Sequence, residues 1–173
     1  LVAGYGLATE DAFPVRLEAR LRRAGYHVRV INAGVSGDTT AGGLARLDWV
    51  LAEKPHIAIV ELGANDGMRA INPMVTRRNL NRIVGRIKDR GVAVLLTGMV
   101  APPNLGPAYG AAFKAVFPAV AKRHGVAFYP FFLAGVAAQP ELNQRDGLHP
   151  NERGVATIVD RIVPYVVRLL LDR

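Results

Sequence analysis

The sequence predicts a three-layer α/β/α domain with a central parallel sheet. Two observations lead to this fold class. Segments typical of strands and of helices alternate along the chain, and the strand-like segments are continuous apolar runs instead of alternating apolar and polar residues. Continuous apolar runs are typical of parallel strands that are covered on both faces. In such sheets the functional crevice lies beyond the carboxyl ends of the strands, so the loops that follow strands are the places to look for chemistry.

The helices are predicted from apolar residues that recur at helical spacing. In the first helix Phe13, Leu17 and Leu21 share one face, and Gly25 ends it. The second is predicted to begin at a cap provided by Thr39 or Thr40. The predicted helices cover residues 10–24, 39–54, 74–90, 108–124 and 151–171.

Four segments are predicted as strands: residues 27–33 (HVRVINA), 56–62 (HIAIVEL), 92–99 (VAVLLTGM) and 126–129. Residues 1–9 (LVAGYGLAT) have the character of a loop between a strand and a helix, so we expect the first strand of the sheet upstream of Leu1. No internal repeat, low-complexity tract or linker interrupts residues 1–173, which predicts a single domain.

Composition excludes several classes of function. There are 22 Lys and Arg against 14 Asp and Glu, a formal net charge of +8. Many of the arginines lie at helical spacing beside leucines and isoleucines, which is typical of solvated helix faces, and no aromatic residues interleave with them, so nucleic acid is not expected as a partner. No apolar run reaches the roughly 18–20 residues of a membrane span, so stable membrane insertion is not expected. The chain has no cysteine, hence no disulfide and no thiolate nucleophile.

The loop after the first predicted strand contains two glycines around the only serine of the chain. It reads AGVSGDTT from Ala33 to Thr40, and its end coincides with a predicted helix N-terminus, whose free N–H groups suit an anion. The alternative is a tight turn capped by Asp38 or Thr39. On this loop alone the plain turn is the favoured interpretation.

A second polar cluster, ELGANDG, follows the second predicted strand. The side-chain amide of Asn65 can donate to an oxyanion, and one such donor contributes about 2.7–4 kcal/mol of transition-state stabilisation. The alternative is an ordinary Asn-Asp-Gly turn, which composition alone favours.

The third cluster, DGLHPN, precedes the last predicted helix and contains Asp146 and His149 three residues apart. This spacing allows the carboxylate to accept from Nδ1–H of the imidazole and leaves Nε2 as a general base. A surface turn is the alternative. A metal site is disfavoured because the other histidines, His27, His56 and His124, form no metal-ligand spacing with a carboxylate.

Together the three clusters resemble the conserved blocks of the SGNH (GDSL-type) hydrolases, a family with a flavodoxin-like fold. The resemblance covers essentially the whole chain. It is closest to the bacterial arylesterase, acyl-CoA thioesterase I and lysophospholipase types, through AGYGL (residues 3–7), SGDTT with the following GLARLDWVL, and VELGANDGMR. It implies that Gly37 and Asn65 form the oxyanion hole and that Asp146 and His149 are the acid and base of a catalytic triad.

One block of that family is absent. Its nucleophile is the serine of a Gly-Asp-Ser block, and Leu1 to Gly6 resemble the stretch just after that serine. We therefore expect the nucleophile upstream of Leu1. Ser36 lies in the block of Gly37 and not in a Gly-x-Ser-x-Gly motif, so it is interpreted as a loop residue.

The resemblance implies a serine esterase that hydrolyses carboxylic esters or thioesters through an acyl-enzyme, with aryl, short-to-medium acyl or lysophospholipid substrates. It implies a small-molecule ester or thioester as the partner, no cofactor and no metal, and it favours the periplasm or secretion. Leu1, Met68 and Leu148 are candidates for an acyl pocket that the loop 101–109 covers. The alternatives are a carbohydrate O-deacetylase with the same triad, a flavodoxin-like ligand-binding domain and a non-catalytic acyl-binding homologue. The oligomeric state stays open.

Overall fold

The computed structural model describes residues 1–172, which divide into two compact units. The terminal unit consists of residues 1–36 and 133–172, and the central unit of residues 37–132. The helices are α1 (Phe13–Arg23), α2 (Thr40–Ala45), α3 (Leu47–Leu51), α4 (Ala64–Met68), α5 (Pro73–Lys88), α6 (Pro107–His124) and α7 (Glu152–Leu171). The strands are β1 (Ile57–Val60), β2 (Ala93–Thr97) and β3 (Ala127–Tyr129). Within residues 1–172, no helix is both long and apolar enough to cross a bilayer.

The central unit is built on a parallel sheet in the order β1-β2-β3. Ile57 lies opposite Ala93, and Leu95 lies opposite Ala127. The sequence of β2, AVLLT, is apolar along its length because both faces of the strand are covered, and Leu95 is fully buried. Helices α5 and α6 pack on each other and on this strand. The predicted α/β class with a parallel sheet flanked by helices is confirmed.

In the terminal unit, α1 packs against α7 through the apolar stripe that the sequence indicates. Phe13, Leu17 and Leu21 are buried, as are Ile158 and Ile162 of α7. The asparagine before α7, Asn151, caps it by accepting from two backbone N–H groups of the first turn. The predictions for α1, α5, α6 and α7 are confirmed to within a few residues at either end.

The helix predicted over residues 39–54 is two short helices, α2 and α3, that meet at Arg46. Thr39 caps the first of them, and its hydroxyl accepts from the N–H of Gly42 at 3.3 Å. Gly43 allows α2 to pack closely, because a Cβ at this position would lie 2.5 Å from Cδ1 of Leu62. The two adjacent glycines of α2, Gly42 and Gly43, lower the helix propensity of this segment, which accounts for the shortness of α2.

Two predictions of local structure were wrong. Residues 27–33, predicted as a strand, have no strand structure, since a strand is defined by pairing and none of β1, β2 and β3 pairs with this segment. Residues 64–68, interpreted as part of a polar loop, form the helix α4. Its only apolar side chain beyond alanine is Met68, so hydrophobic periodicity gave no signal for it.

Candidate active site

Asp146 and His149 form an ion-pair geometry within one turn of the terminal unit. Oδ2 of Asp146 lies 2.7 Å from Nδ1 of His149. Oδ1 of the same carboxylate accepts from the backbone N–H groups of Leu148 and His149, at 2.9 and 3.0 Å. One carboxylate therefore both shapes the turn and orients the imidazole, and the pairing predicted from the Asp-x-x-His spacing is present.

Hydrogen bonding keeps Asp146 ionised. The backbone N–H of His149, its imidazole and the N–H of Leu148 lower the pKa of Asp146 to about 2. An ionised carboxylate can only accept, so Nδ1 of His149 must be the donor, and in the neutral imidazole Nε2 then carries a free lone pair. The tautomer with a hydrogen on Nδ1 and a free Nε2 is the one that a general base requires. The side chain of His149 is 28% exposed, so solvent and ligands can reach it.

One face of the His149 imidazole is covered by Tyr5, a contact that sequence analysis missed. The ring of Tyr5 lies with its centroid 4.9 Å from that of the imidazole, tilted by 42°. The side-chain amide of Gln144 donates to the carbonyl of Tyr5 at 2.8 Å and to that of Pro150 at 3.0 Å. Gln144 thus ties the segment of Tyr5 to the chain just after His149. No motif in the sequence links residues so far apart.

In the central unit, Gly37 adopts a left-handed backbone conformation with φ +77°. A Cβ here would have open space, with no atom nearer than 3.9 Å, so the backbone angle and not crowding favours glycine. Gly37 is exposed, and its carbonyl accepts from Nη2 of Arg69 at 3.1 Å. The neighbouring Ser36 belongs to the terminal unit and is also exposed.

Asn65 lies in α4, directly after β1. The carboxamide Nδ2 of Asn65 donates to the carbonyl of Asp38 at 2.9 Å. An amide nitrogen carries two hydrogens, and the second one has no acceptor among residues 1–172, so it can serve a ligand. Gly63 makes the turn from β1 into α4, with φ +116° and with its backbone so near Phe117 that a Cβ would lie 2.9 Å from Cζ.

The residue after Asn65 forms a buried polar network that sequence analysis also missed. Asp66 is fully buried, and its carboxylate accepts from the N–H of Thr40 at 2.8 Å, from the hydroxyl of Thr40 and from that of Thr76 at 3.1 Å. Asn79 in turn donates to the Thr40 hydroxyl at 3.1 Å. The network therefore joins α4 to the start of α2 and to α5.

A further carboxyl group of the second cluster is buried. Oε1 of Glu61 has no hydrogen-bond partner among residues 1–172, and burial raises the pKa of Glu61. Desolvation thus favours the protonated form of this side chain.

The structure describes all the residues predicted for an acyl pocket. Met68 and Leu148 are each 51% exposed, Met68 on α4 and Leu148 just before His149, whereas Leu1 is half-buried. In the loop 101–109, Ala101 is buried and the hydroxyl of Tyr109 donates to the carbonyl of Ile71 at 2.7 Å. The assignment of these residues to substrate stays a prediction. In residues 1–172 no three potential metal-binding side chains converge.

A parallel α/β fold with an Asp–His pair before its last helix is an arrangement typical of hydrolases in which a histidine acts as general base for a nucleophile. The model of the GDSL-like lipase/acylhydrolase family matches residues 1–156, and the chain belongs to this family. The resemblance inferred from the motifs is thereby confirmed.

Curated relatives and solved structures agree with this membership. Esterase TesA of Pseudomonas aeruginosa is 42% identical over 169 residues, 97% of this chain and 84% of that protein. Arylesterase of Vibrio mimicus is 39% identical over 171 residues, 98% of this chain and 86% of that protein. The crystal structure of TesA matches with a TM-score of 0.92 and 41% identity, covering 97% of this chain and 94% of that one. That of esterase EstA from Pseudoalteromonas sp., inhibited by monoethylphosphonate, matches with a TM-score of 0.93 and 31% identity over 99% and 94%.

Proposed function

We propose that this protein hydrolyses carboxylic esters and thioesters through an acyl-enzyme. The observation that carries the proposal is the 2.7 Å pair of Asp146 and His149, which leaves Nε2 of the imidazole free to act as a base. Family membership supports it, as do relatives that are named as esterases and the phosphonate inhibition of EstA.

The mechanism uses a serine nucleophile, an acid–base pair and two oxyanion donors. The serine expected upstream of Leu1 attacks the ester carbonyl, and Nε2 of His149 takes its proton while Asp146 stays ionised and stabilises the imidazolium. The backbone N–H of Gly37 and the second amide hydrogen of Asn65 donate to the oxyanion. His149 then protonates the leaving alcohol or thiol, and water, activated by the same imidazole, releases the acid.

Exposed apolar side chains beside these residues favour an acyl group as the part of the substrate that is recognised. Leu148 is adjacent to His149 in the chain, Tyr5 packs on the imidazole, and Met68 follows Asn65 on α4. Burial of such side chains by a substrate contributes roughly 25 cal/mol for each Å² removed from water. We therefore assign Met68 and Leu148, together with Leu1, to the binding of the acyl chain.

The test is hydrolysis of p-nitrophenyl esters, acetyl to dodecanoyl, by the full-length protein and by His149→Ala. We expect His149→Ala to lose roughly 10⁴-fold or more in kcat. His124→Ala is the matched control, since His124 is another half-buried histidine, bonded to Asn81, and we expect it to retain activity. Equal loss in both variants, or full activity in His149→Ala, would contradict the proposal.

Two further assays separate the remaining alternatives. Turnover of acetylated sugars with none of longer acyl esters would indicate a carbohydrate deacetylase, and acyl-ligand binding without any turnover would indicate a non-catalytic homologue.

To test the acyl pocket, Met68→Ser and Leu148→Ser are compared with Met74→Ser, a methionine on α5 that is 64% exposed. We expect only the first two to raise KM for the longer esters.

A further inference from the structure

Helix α4 and the residue that caps it bond to the loop of Gly37 at three points. Asn65 bonds the carbonyl of Asp38 at 2.9 Å, and Arg69 bonds the carbonyl of Gly37 at 3.1 Å. Asp66 accepts from the N–H and the hydroxyl of Thr40. Three side chains within five positions of the sequence thus form hydrogen bonds to residues 37–40, and all of these residues belong to the central unit.

The hydrogen bonds of the Asp66 carboxylate leave it little freedom to move. In the described chain its partners are one backbone N–H and two hydroxyls, and none is a cation. The Thr40 hydroxyl donates to Asp66 and accepts from Asn79, so both of its roles are filled. A buried carboxylate that accepts from three donors has few alternative arrangements.

Arg69 acts at a different point of the same loop. Its guanidinium donates to the Gly37 carbonyl. Gly37 has no Cβ to restrict its backbone, so this contact limits the conformations that the residue can adopt. The contact fixes the peptide that follows Gly37 and, through φ and ψ of that residue, constrains the direction of its N–H. Arg69 is exposed, so its removal leaves no buried group unpaired.

We propose that Asp66 and Arg69 are positioning residues that hold the two oxyanion donors, Gly37 N–H and Asn65 Nδ2–H, in one frame. The inference rests on the proposed function, because it assigns a role to donors that only an oxyanion reaction uses. Electrostatic catalysis depends on donors that are oriented before the reaction, and a displacement of about 1 Å can cost roughly 100-fold in rate. Neither residue touches the substrate in this scheme.

Steady-state kinetics of Arg69→Met with a p-nitrophenyl ester tests the proposal. We expect kcat to fall roughly 10-fold with KM changed less than about twofold, because the loss affects the transition state and not substrate binding. Arg69→Lys, which keeps a donor, should recover part of the rate. Arg78→Met on α5, also exposed, is the matched control and should equal the wild type.

Asp66→Asn is a second test, in which the substituted side chain is buried and the variant can lose stability as well as activity. It keeps the size of the side chain and one acceptor oxygen, and among molecules that remain folded, counted by active-site titration with a phosphonate, we expect kcat to fall roughly 10- to 100-fold at unchanged KM. Should this variant fail to fold, Arg69→Met still decides the matter.

The outcomes separate this inference from the proposed function. No ester turnover by the wild-type protein refutes the proposed function itself. With an active wild type, an unchanged kcat in Arg69→Met, or a raised KM at constant kcat, overturns the positioning role. Recovery in Arg69→Lys alongside a loss in Arg69→Met supports it.

Discussion

The two regions assigned to catalysis are held in place by different kinds of contact. In the Asp146–His149 turn, the carboxylate bonds only residues two and three positions further along the chain, and both side chains are partly exposed. In the Gly37–Asn65 region, the bonds join residues 10 to 39 positions apart, and Asp66 and Thr40 are fully buried. The acid–base geometry is therefore built locally, and the oxyanion geometry depends on the folded central unit.

This difference predicts how substitutions divide between activity and stability. Changes in the turn should remove activity while the fold persists, because an exposed local turn contributes little to global stability. Changes in the buried network should lower activity and stability together, because they leave buried donors unpaired.

The largest effect is expected for Asp146→Asn. The asparagine oxygen can still accept from the backbone N–H groups of Leu148 and His149, but its NH₂ then faces Nδ1, which favours the wrong imidazole tautomer. We expect kcat to fall roughly 10⁴-fold with only a small change in Tm. Kinetics and thermal unfolding of the same preparation check both parts. A loss below tenfold would contradict the role of Asp146.

For Asn65→Ala we expect a loss of roughly 10²–10³-fold in kcat, the effect of removing one oxyanion donor, with KM nearly unchanged. Asn81→Ala is the matched control, since the amide of Asn81 also donates to a backbone carbonyl, that of Arg77, at 2.9 Å. Kinetics with an aryl ester is the measurement. If the two variants behave alike, Asn65 has no special part in the reaction.

Asp66→Ala sharpens the comparison on the side of stability. It leaves the Thr40 N–H and two hydroxyls buried without an acceptor, so we expect the free energy of unfolding to fall by about 3 kcal/mol. Urea unfolding of this variant beside Asp146→Ala measures the contrast directly. Equal destabilisation by the two variants would remove the distinction between the local and the buried region.

These predictions also show how far the sequence was informative. Asp146 and His149 could be recognised because the contacts that orient them lie within a few residues. The network of Asp66, Thr40, Thr76 and Asn79 could not, because its members share no periodicity and become neighbours only when α2, α4 and α5 pack. For the same reason residues 27–33 have the composition of a strand without forming one, since pairing is a tertiary property.

The smallest expected effect is a pH dependence of stability. The pKa of Asp146 is lowered to about 2 in the folded state, below the value near 3.9 of an unfolded chain. Its contribution is therefore present above about pH 4 and is lost as pH falls through about 2. The difference in Tm between the wild type and Asp146→Asn should shrink as pH falls below 4. A difference that does not change with pH would refute this linkage.

The most direct test of the central claim, that His149 activates a serine nucleophile, is peptide-mapped mass spectrometry of the full-length protein after exposure to an organophosphonate. We predict a single adduct on a serine that precedes Leu1, absent from His149→Ala and present in His124→Ala. An adduct on Ser36 would contradict the assignment of that residue to the loop of Gly37. No adduct on any serine would contradict covalent catalysis by this protein.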